Sequence, residues 1–273
     1  MGERGHGPQA DGRRGAPPSL AQSRQGTRAR RTLAASRTSR SGLGGRRYAC
    51  RVLIRTLAAP LLGANCHVVP DGDGCVVVDP GGGVAAEVRA AVASGGLTPH
   101  AILLTHGHLD HTWCAAELSE EWAVPVLIHE DDAYRLADPV GSLGPLGTQL
   151  AAMAGLPAGP PAPTRLETFR ADTDVPRVVV GEVRALHAPG HTEGSTVYVV
   201  DGAGAETVAL TGDVLFAGTI GRCDLPGGDE RAMAATLRRL ARLDVATRVL
   251  PGHGPGTTIG DELATNPYLS ASR

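Results

Sequence analysis

From residue 51 onward, short apolar runs alternate with polar punctuation rich in glycine and proline. Runs at about 51–57, 64–70, 75–79, 100–104, 125–128, 178–180, 183–188, 195–200, 206–210 and 248–250 are bounded by Gly, Pro or Asp and read as strands. Apolar positions at helical spacing fall at about 84–94, 110–121, 130–136 and 229–242. Strands interleaved with a few helices predict an α/β layered domain whose chemistry sits on loops at strand ends. The stretch 137–164, rich in Gly, Pro and Ala, is too long for a simple connector and reads as a loop over or beside that chemistry.

The first 49 residues break the pattern. They hold almost no large apolar side chain, so they cannot bury enough surface to offset the entropy of ordering. A disordered Arg/Gly/Pro/Ser-rich tail over 1–49 and a folded domain over 50–273, beginning near Val52, are expected. An upstream start codon, a solvated or nucleic-acid-touching arm, and an Arg-rich targeting segment each account for such a tail.

Charge sharpens this division. Every one of the 26 basic residues is Arg, and eleven of them lie in 1–47 beside only Glu3 and Asp11. The rest of the chain is therefore acidic, which argues against a nucleic-acid partner for the folded domain, since phosphate contacts need clustered Lys and Arg. Bound divalent metal would offset part of that charge. Five Cys without CxxC pairing fit a reducing compartment and read as small buried hydrophobes. No apolar run approaches membrane-spanning length and no charged-then-apolar leader opens the chain, so a soluble, cytoplasmic protein without a membrane partner is expected.

The run Ala101-Ile102-Leu103-Leu104 leads straight into His106, His108, Asp110 and His111, four ligand-type side chains within six residues at a strand end. Zinc binds imidazole nitrogen and carboxylate oxygen at roughly 2.0–2.2 Å, and a catalytic site keeps a position open for water. An i, i+2 His pair can face one metal, and the Asp-His pair entering a helix can serve a second. Pro189-Gly190-His191-Thr192, Thr211-Gly212-Asp213-Val214 and Pro251-Gly252-His253-Gly254 each follow an apolar run and deliver one further ligand beside a Gly. The isolated His6, His67, His100, His129 and His187 read as structural or surface residues. The Gly81-Gly82-Gly83 triplet is a turn and no phosphate loop, because no Lys-Ser/Thr follows it.

The set THGHLDH, PGHT, TGD and PGHG, preceded by Val78-Asp79-Pro80-Gly81, resembles the metallo-β-lactamase superfamily over essentially all of 52–270. The resemblance implies an αββα sandwich, two mixed β-sheets flanked by helices, with a site holding two divalent ions, zinc by preference and iron or manganese as alternatives. It assigns His106, His108 and His191 to one metal and Asp110, His111 and His253 to the other. Asp213 would bridge both, and Asp79 would orient the site from behind. The segments Gly190 to Ser195, Thr211 to Phe216 and Gly221 to Asp229 are similar to the glyoxalase II group, with Cys223 where that group carries Thr. This implies hydrolysis of a 2-hydroxyacyl thioester of a small thiol by metal-bound hydroxide, Asp110 handling the proton and Arg222 contacting substrate. Only twenty residues follow His253, which leaves out the helical domain that holds glutathione in longer members. The short form looks similar to actinobacterial members, for which another thiol such as mycothiol is the plausible carrier. A persulfide dioxygenase with one iron on His106, His191 and Asp213 is the nearest rival; a β-lactamase, a nucleic-acid-processing enzyme and a scaffold are more distant ones.

Overall fold

Both faces of the central strands are buried, which is why their sequences read as continuous apolar runs without a polar alternate face. The computed structural model describes residues 54–271 apart from 154, 156–158, 171, 175–181 and 202–205. The described residues all fall in one unit. The tail expected over 1–49, the expected domain start near Val52 and the strand expected at 178–180 lie outside the described residues.

One sheet takes six strands in chain order: β1 (Arg55–Ala58), β2 (Asn65–Asp71), β3 (Gly74–Val78), β4 (Thr98–Leu103), β5 (Val126–His129) and β6 (Leu166–Phe169). The first three pair antiparallel, whereas β3 to β6 are parallel. Parallel neighbours need crossovers. These are α1 (Ala85–Gly95) between β3 and β4, α2 (Leu109–Thr112) with α3 (Ala115–Trp122) between β4 and β5, and the helical segment within 130–153 between β5 and β6.

The second half contributes β7 (Thr173–Asp174), β8 (Glu182–His187), β9 (Thr196–Asp201), β10 (Val208–Gly212), a small ribbon of β11 (Leu215–Phe216) and β12 (Thr219–Ile220), β13 (Arg248–Pro251) and β14 (Thr257–Thr258). Its sheet runs β14-β13-β10-β9-β8-β7, with β10 and β13 parallel and the other pairs antiparallel.

Alternate residues of each strand build two kinds of core. Val76, Val78, Ala101 and Leu103 meet Tyr198, Val200, Val208 and Leu210 between the sheets. Their neighbours Cys75, Val77, Ile102 and Leu104 pack on Val88, Val92 and Leu118 of α1 and α3. On the far side Val197, Val199 and Ala209 cover Met233 and Leu237 of α6 (Glu230–Leu240) and Leu263 of α7 (Ile259–Thr265). The layer order is thus helix, sheet, sheet, helix, as expected. Among the described residues no helix is long and apolar enough to cross a membrane.

Three local expectations need correction. The stretch 137–164 is no continuous loop: it contains a 3-10 turn at Gly141–Leu143 and α5 (Pro145–Met153). The single helix expected over 110–121 breaks in two, because the Cys114 amide donates to Pro80 O at 2.9 Å instead of continuing the helical ladder. The helix expected over 130–136 is a 3-10 turn at Glu130–Asp132 followed by α4 (Ala133–Ala137). A further helix, α8 (Pro267–Ser270), starts at Asn266, whose side chain accepts from the Tyr268 and Leu269 amides.

Candidate dinuclear metal centre

Four loops at one edge of the sandwich carry the donors. The segment after β4 holds His106 and His108, and α2 adds Asp110 and His111. The loops after β8, β10 and β13, strands that run in the same direction, bring His191, Asp213 and His253. The chain must turn sharply at each strand end. Gly212 does so at φ 48°, and a Cβ there would stand 2.3 Å from Thr105 Oγ1. A Cβ on Gly252 would stand 2.2 Å from Asp213 Oδ1, so the backbone approaches the carboxylate closely only because that atom is missing.

In four of the five histidines the outer ring nitrogen has a partner, and that partner sets the direction of the inner one. His111 Nδ1 lies 3.1 Å from Asp79 Oδ2, and His106 Nδ1 lies 3.1 Å from Thr105 Oγ1, whose own hydroxyl donates to Asp79 at 2.6 Å. His191 Nδ1 faces Arg222 O at 2.8 Å and His253 Nδ1 faces Gly63 O at 3.2 Å. With those contacts outward, the Nε2 atoms of all four rings point inward. Asp79 also accepts the Thr105 amide at 2.8 Å and adopts a left-handed φ of 50°, a conformation Asp tolerates better than most residues. It thus stands behind two rings, touching His111 directly and His106 through Thr105.

The inward atoms form two triplets, His106–His108–His191 and Asp110–His111–His253. His191 Nε2 and His108 Nδ1 are 2.9 Å apart. In the second triplet the separations are 3.3 Å between the two rings, 3.3 Å from His253 to Asp110 and 3.6 Å from His111 to Asp110. Asp213 lies between the triplets, with Oδ1 3.3 Å from His111 and Oδ2 3.6 Å from His191 and 3.7 Å from His253. For metal–ligand bonds of roughly 2.0–2.2 Å a tetrahedral edge is about 3.4 Å, so these spacings fit two divalent cations. The buried His106 Nε2 has no hydrogen-bond partner, which a cation would supply.

Electrostatics point the same way. Burial, helped by His111 and the other neighbouring imidazoles, pushes His106 well below its ordinary value; burial and His191 lower His108 to about 3. Burial acts on His111 in the same sense, but Asp213 and Asp110 outweigh it and hold that ring well above 6.5. Burial would raise both carboxyls, yet the attraction of His111 and its neighbours keeps Asp110 and Asp213 ionised below the usual range.

Two residues absent from the sequence expectations tie the donor loops together. Asp132, fully buried, accepts from Gly107 N at 2.8 Å, Gly194 N at 2.9 Å and Thr192 Oγ1 at 2.7 Å. It thereby joins the loop of His106 and His108 to that of His191. Arg135, buried beside it, donates to Asp132 at 3.3 Å, to Pro226 O at 2.9 Å and to Glu193. A signal existed: Asp132, Arg135 and Leu136 share one helical face, so two charged residues fall on an apolar stripe.

Arg222 reaches the mouth of the site, but its guanidinium is mostly exposed and paired with Asp224 at 2.6 and 2.7 Å. Cys223 is half-buried, and burial raises its thiol pKa, so it is a weak nucleophile. His129 and His187 stack face to face at 4.0 Å near Asp131, which directs their in-plane lone pairs side by side instead of at a common point. The donor atoms of His129, Asp131 and His187 nevertheless lie within 4.8 Å of one another, outside the group built around Asp213.

The chain matches the metallo-beta-lactamase superfamily over residues 59–253. It is 39% identical to the protein TTHA1623, solved in a di-iron-bound form, with a TM-score of 0.65 over 80% of this chain and 100% of that one. Against the BLEG-1 B3 metallo-β-lactamase the identity is 32% and the TM-score 0.67, with the same coverage. Hydroxyacylglutathione hydrolase GloC of Haemophilus influenzae is 31% identical over 76% of this chain and 93% of its own length. Two donor triplets around a shared carboxylate at one edge of an αββα sandwich, and a match across most of the chain, make this protein a member of the metallo-β-lactamase superfamily.

Proposed function

We propose that the chain hydrolyses a thioester of a low-molecular-weight thiol, a 2-hydroxyacyl thioester being the first candidate. The observation that carries this reading is the second triplet, Asp110–His111–His253, standing beside the first with Asp213 between them. His106, His108 and His191 would hold one divalent ion and Asp110, His111 and His253 the other, with Asp213 shared; such ions supply an acidified water and a seat for the carbonyl oxygen.

The protein's own groups do the remainder. Asp79, Thr105 and the carbonyls of Arg222 and Gly63 fix the rings. Asp110, kept ionised and lining the cavity, takes the proton of the attacking water. A C–O bond forms at the acyl carbon, the C–S bond breaks, and the thiolate leaves without a proton donor. Similarity to GloC, named a hydroxyacylglutathione hydrolase, and the Gly221 to Asp229 segment support this substrate class. A persulfide dioxygenase needs only His106, His191 and Asp213, which leaves the second triplet without a task.

Metal analysis of the purified chain, with S-lactoyl thioester hydrolysis and persulfide-dependent oxygen uptake measured side by side, tests the proposal. Two ions per chain and thioester turnover are expected; one iron per chain with oxygen uptake and no hydrolysis overturns it.

A further inference from the structure

The cavity in front of the donors, about 390 Å³, has a polar floor and an apolar wall. Leu143, Leu146 and Leu150 form one side of the wall, at i, i+3 and i+7 along the 3-10 turn and α5. Phe216, at the end of β11, and Leu225, from the loop before α6, complete it. Leu146, Leu150, Phe216 and Leu225 are half-buried, so each keeps surface to offer the cavity, and the buried Leu143 backs them. Although α5 brings no donor to the centre, it places two of its leucines over it.

Charge along the wall is as telling as shape. The basic side chain lining this cavity, Arg222, already holds Asp224 with two hydrogen bonds. Arg135 is buried and held by Asp132 and Glu193. Away from the donor residues, a thiol carrier bearing several carboxylates therefore meets no unpaired cation among the described lining residues, whereas an aliphatic or aromatic group meets five apolar side chains.

We infer that this wall selects a ligand with an uncharged apolar group of several carbons attached to the thioester, and that Leu143, Leu146 and Leu150 determine that specificity. The inference rests on the thioester reading for its substrate and on the cavity for its selectivity. Either the acyl chain or the thiol could bring the apolar group, and the test has an arm for each.

The metal-loaded full chain is assayed with acetyl, butyryl and hexanoyl thioesters of neutral N-acetylcysteamine, then with acetyl thioesters of ethanethiol, butanethiol and hexanethiol, and with S-acetylglutathione. In one arm kcat/KM should rise roughly tenfold for each two methylenes added, and S-acetylglutathione should fall below its neutral counterpart. Leu146→Ala should lower the hexyl-to-ethyl or hexanoyl-to-acetyl preference by about tenfold with metal content retained. Leu146→Phe, which fills space instead of emptying it, should move the optimum to shorter chains. Flat profiles in both arms, or a preference for S-acetylglutathione, overturn the inference. If no thioester is hydrolysed the proposed reaction fails, and the cavity is then read by calorimetry: hexanoate binding more tightly than acetate keeps the apolar selectivity, and equal affinities end it.

Discussion

Asp132 makes no contact with the candidate ligand atoms themselves, yet three hydrogen-bond donors from the two loops that carry His106, His108 and His191 depend on it. Asp132→Ala leaves those buried groups unsatisfied at about 1 kcal/mol or more each. A stability loss of roughly 3 kcal/mol and at least tenfold weaker metal binding are expected, read by thermal melting and metal titration. Asp132→Asn, which keeps one acceptor oxygen, should lose less; a variant that melts early but binds metal normally would show that the loops hold their register without it. His111 gives the site a pH signature. Its folded pKa lies above 6.5, so in the metal-free chain its ion pairs with Asp213 and Asp110 stabilise fully below that value and fade as pH rises through the folded one. The melting temperature of metal-free protein should therefore fall with pH above 6.5, while metal affinity, which needs the neutral ring, should rise. Parallel trends would contradict the assignment.

At the scale of elements, the strands and the donor loops were legible because two-sided burial turns a strand into a continuous apolar run and a Gly or Pro marks where it stops. The donors follow at once, so His106 to His111, His191, Asp213 and His253 could be named from the chain, and the structure brings all seven together. Helix α5 was not legible: Pro145 and Gly147 lie inside it and Gly144 just before it, which imitates a loop. β6 escaped for a different reason, since as an edge strand it buries Phe169 but leaves Glu167 and Thr168 exposed. Asp132 and Arg135 were passed over because nothing in a run of charges tells a buried acid from a solvated one. Glycine placement carries its own test. Gly252→Ala puts a methyl 2.2 Å from Asp213 Oδ1, so the variant should stay folded but lose metal, measured as ions per chain; full occupancy would mean the loop yields.

On the scale of the whole molecule, the stability of the metal-free fold rests on the interface between the sheets. Leu103, fully buried there among Leu210, Tyr198 and Val78, should cost about 2–5 kcal/mol when cut to Ala, visible in denaturant unfolding. The donors add a second tie across that interface. Four of them hang from the first sheet and three from the second, and Asp213 reaches His111 across the divide. A bound pair of ions would therefore be a clasp between the two halves of the chain. Adding metal should slow hydrogen exchange in the strands of both halves together, by a factor that grows with free metal concentration. Slowing confined to the donor loops would mean that the sheets separate without the clasp noticing. If the clasp holds, the protein's resistance to unfolding becomes a gauge of the metal supply around it.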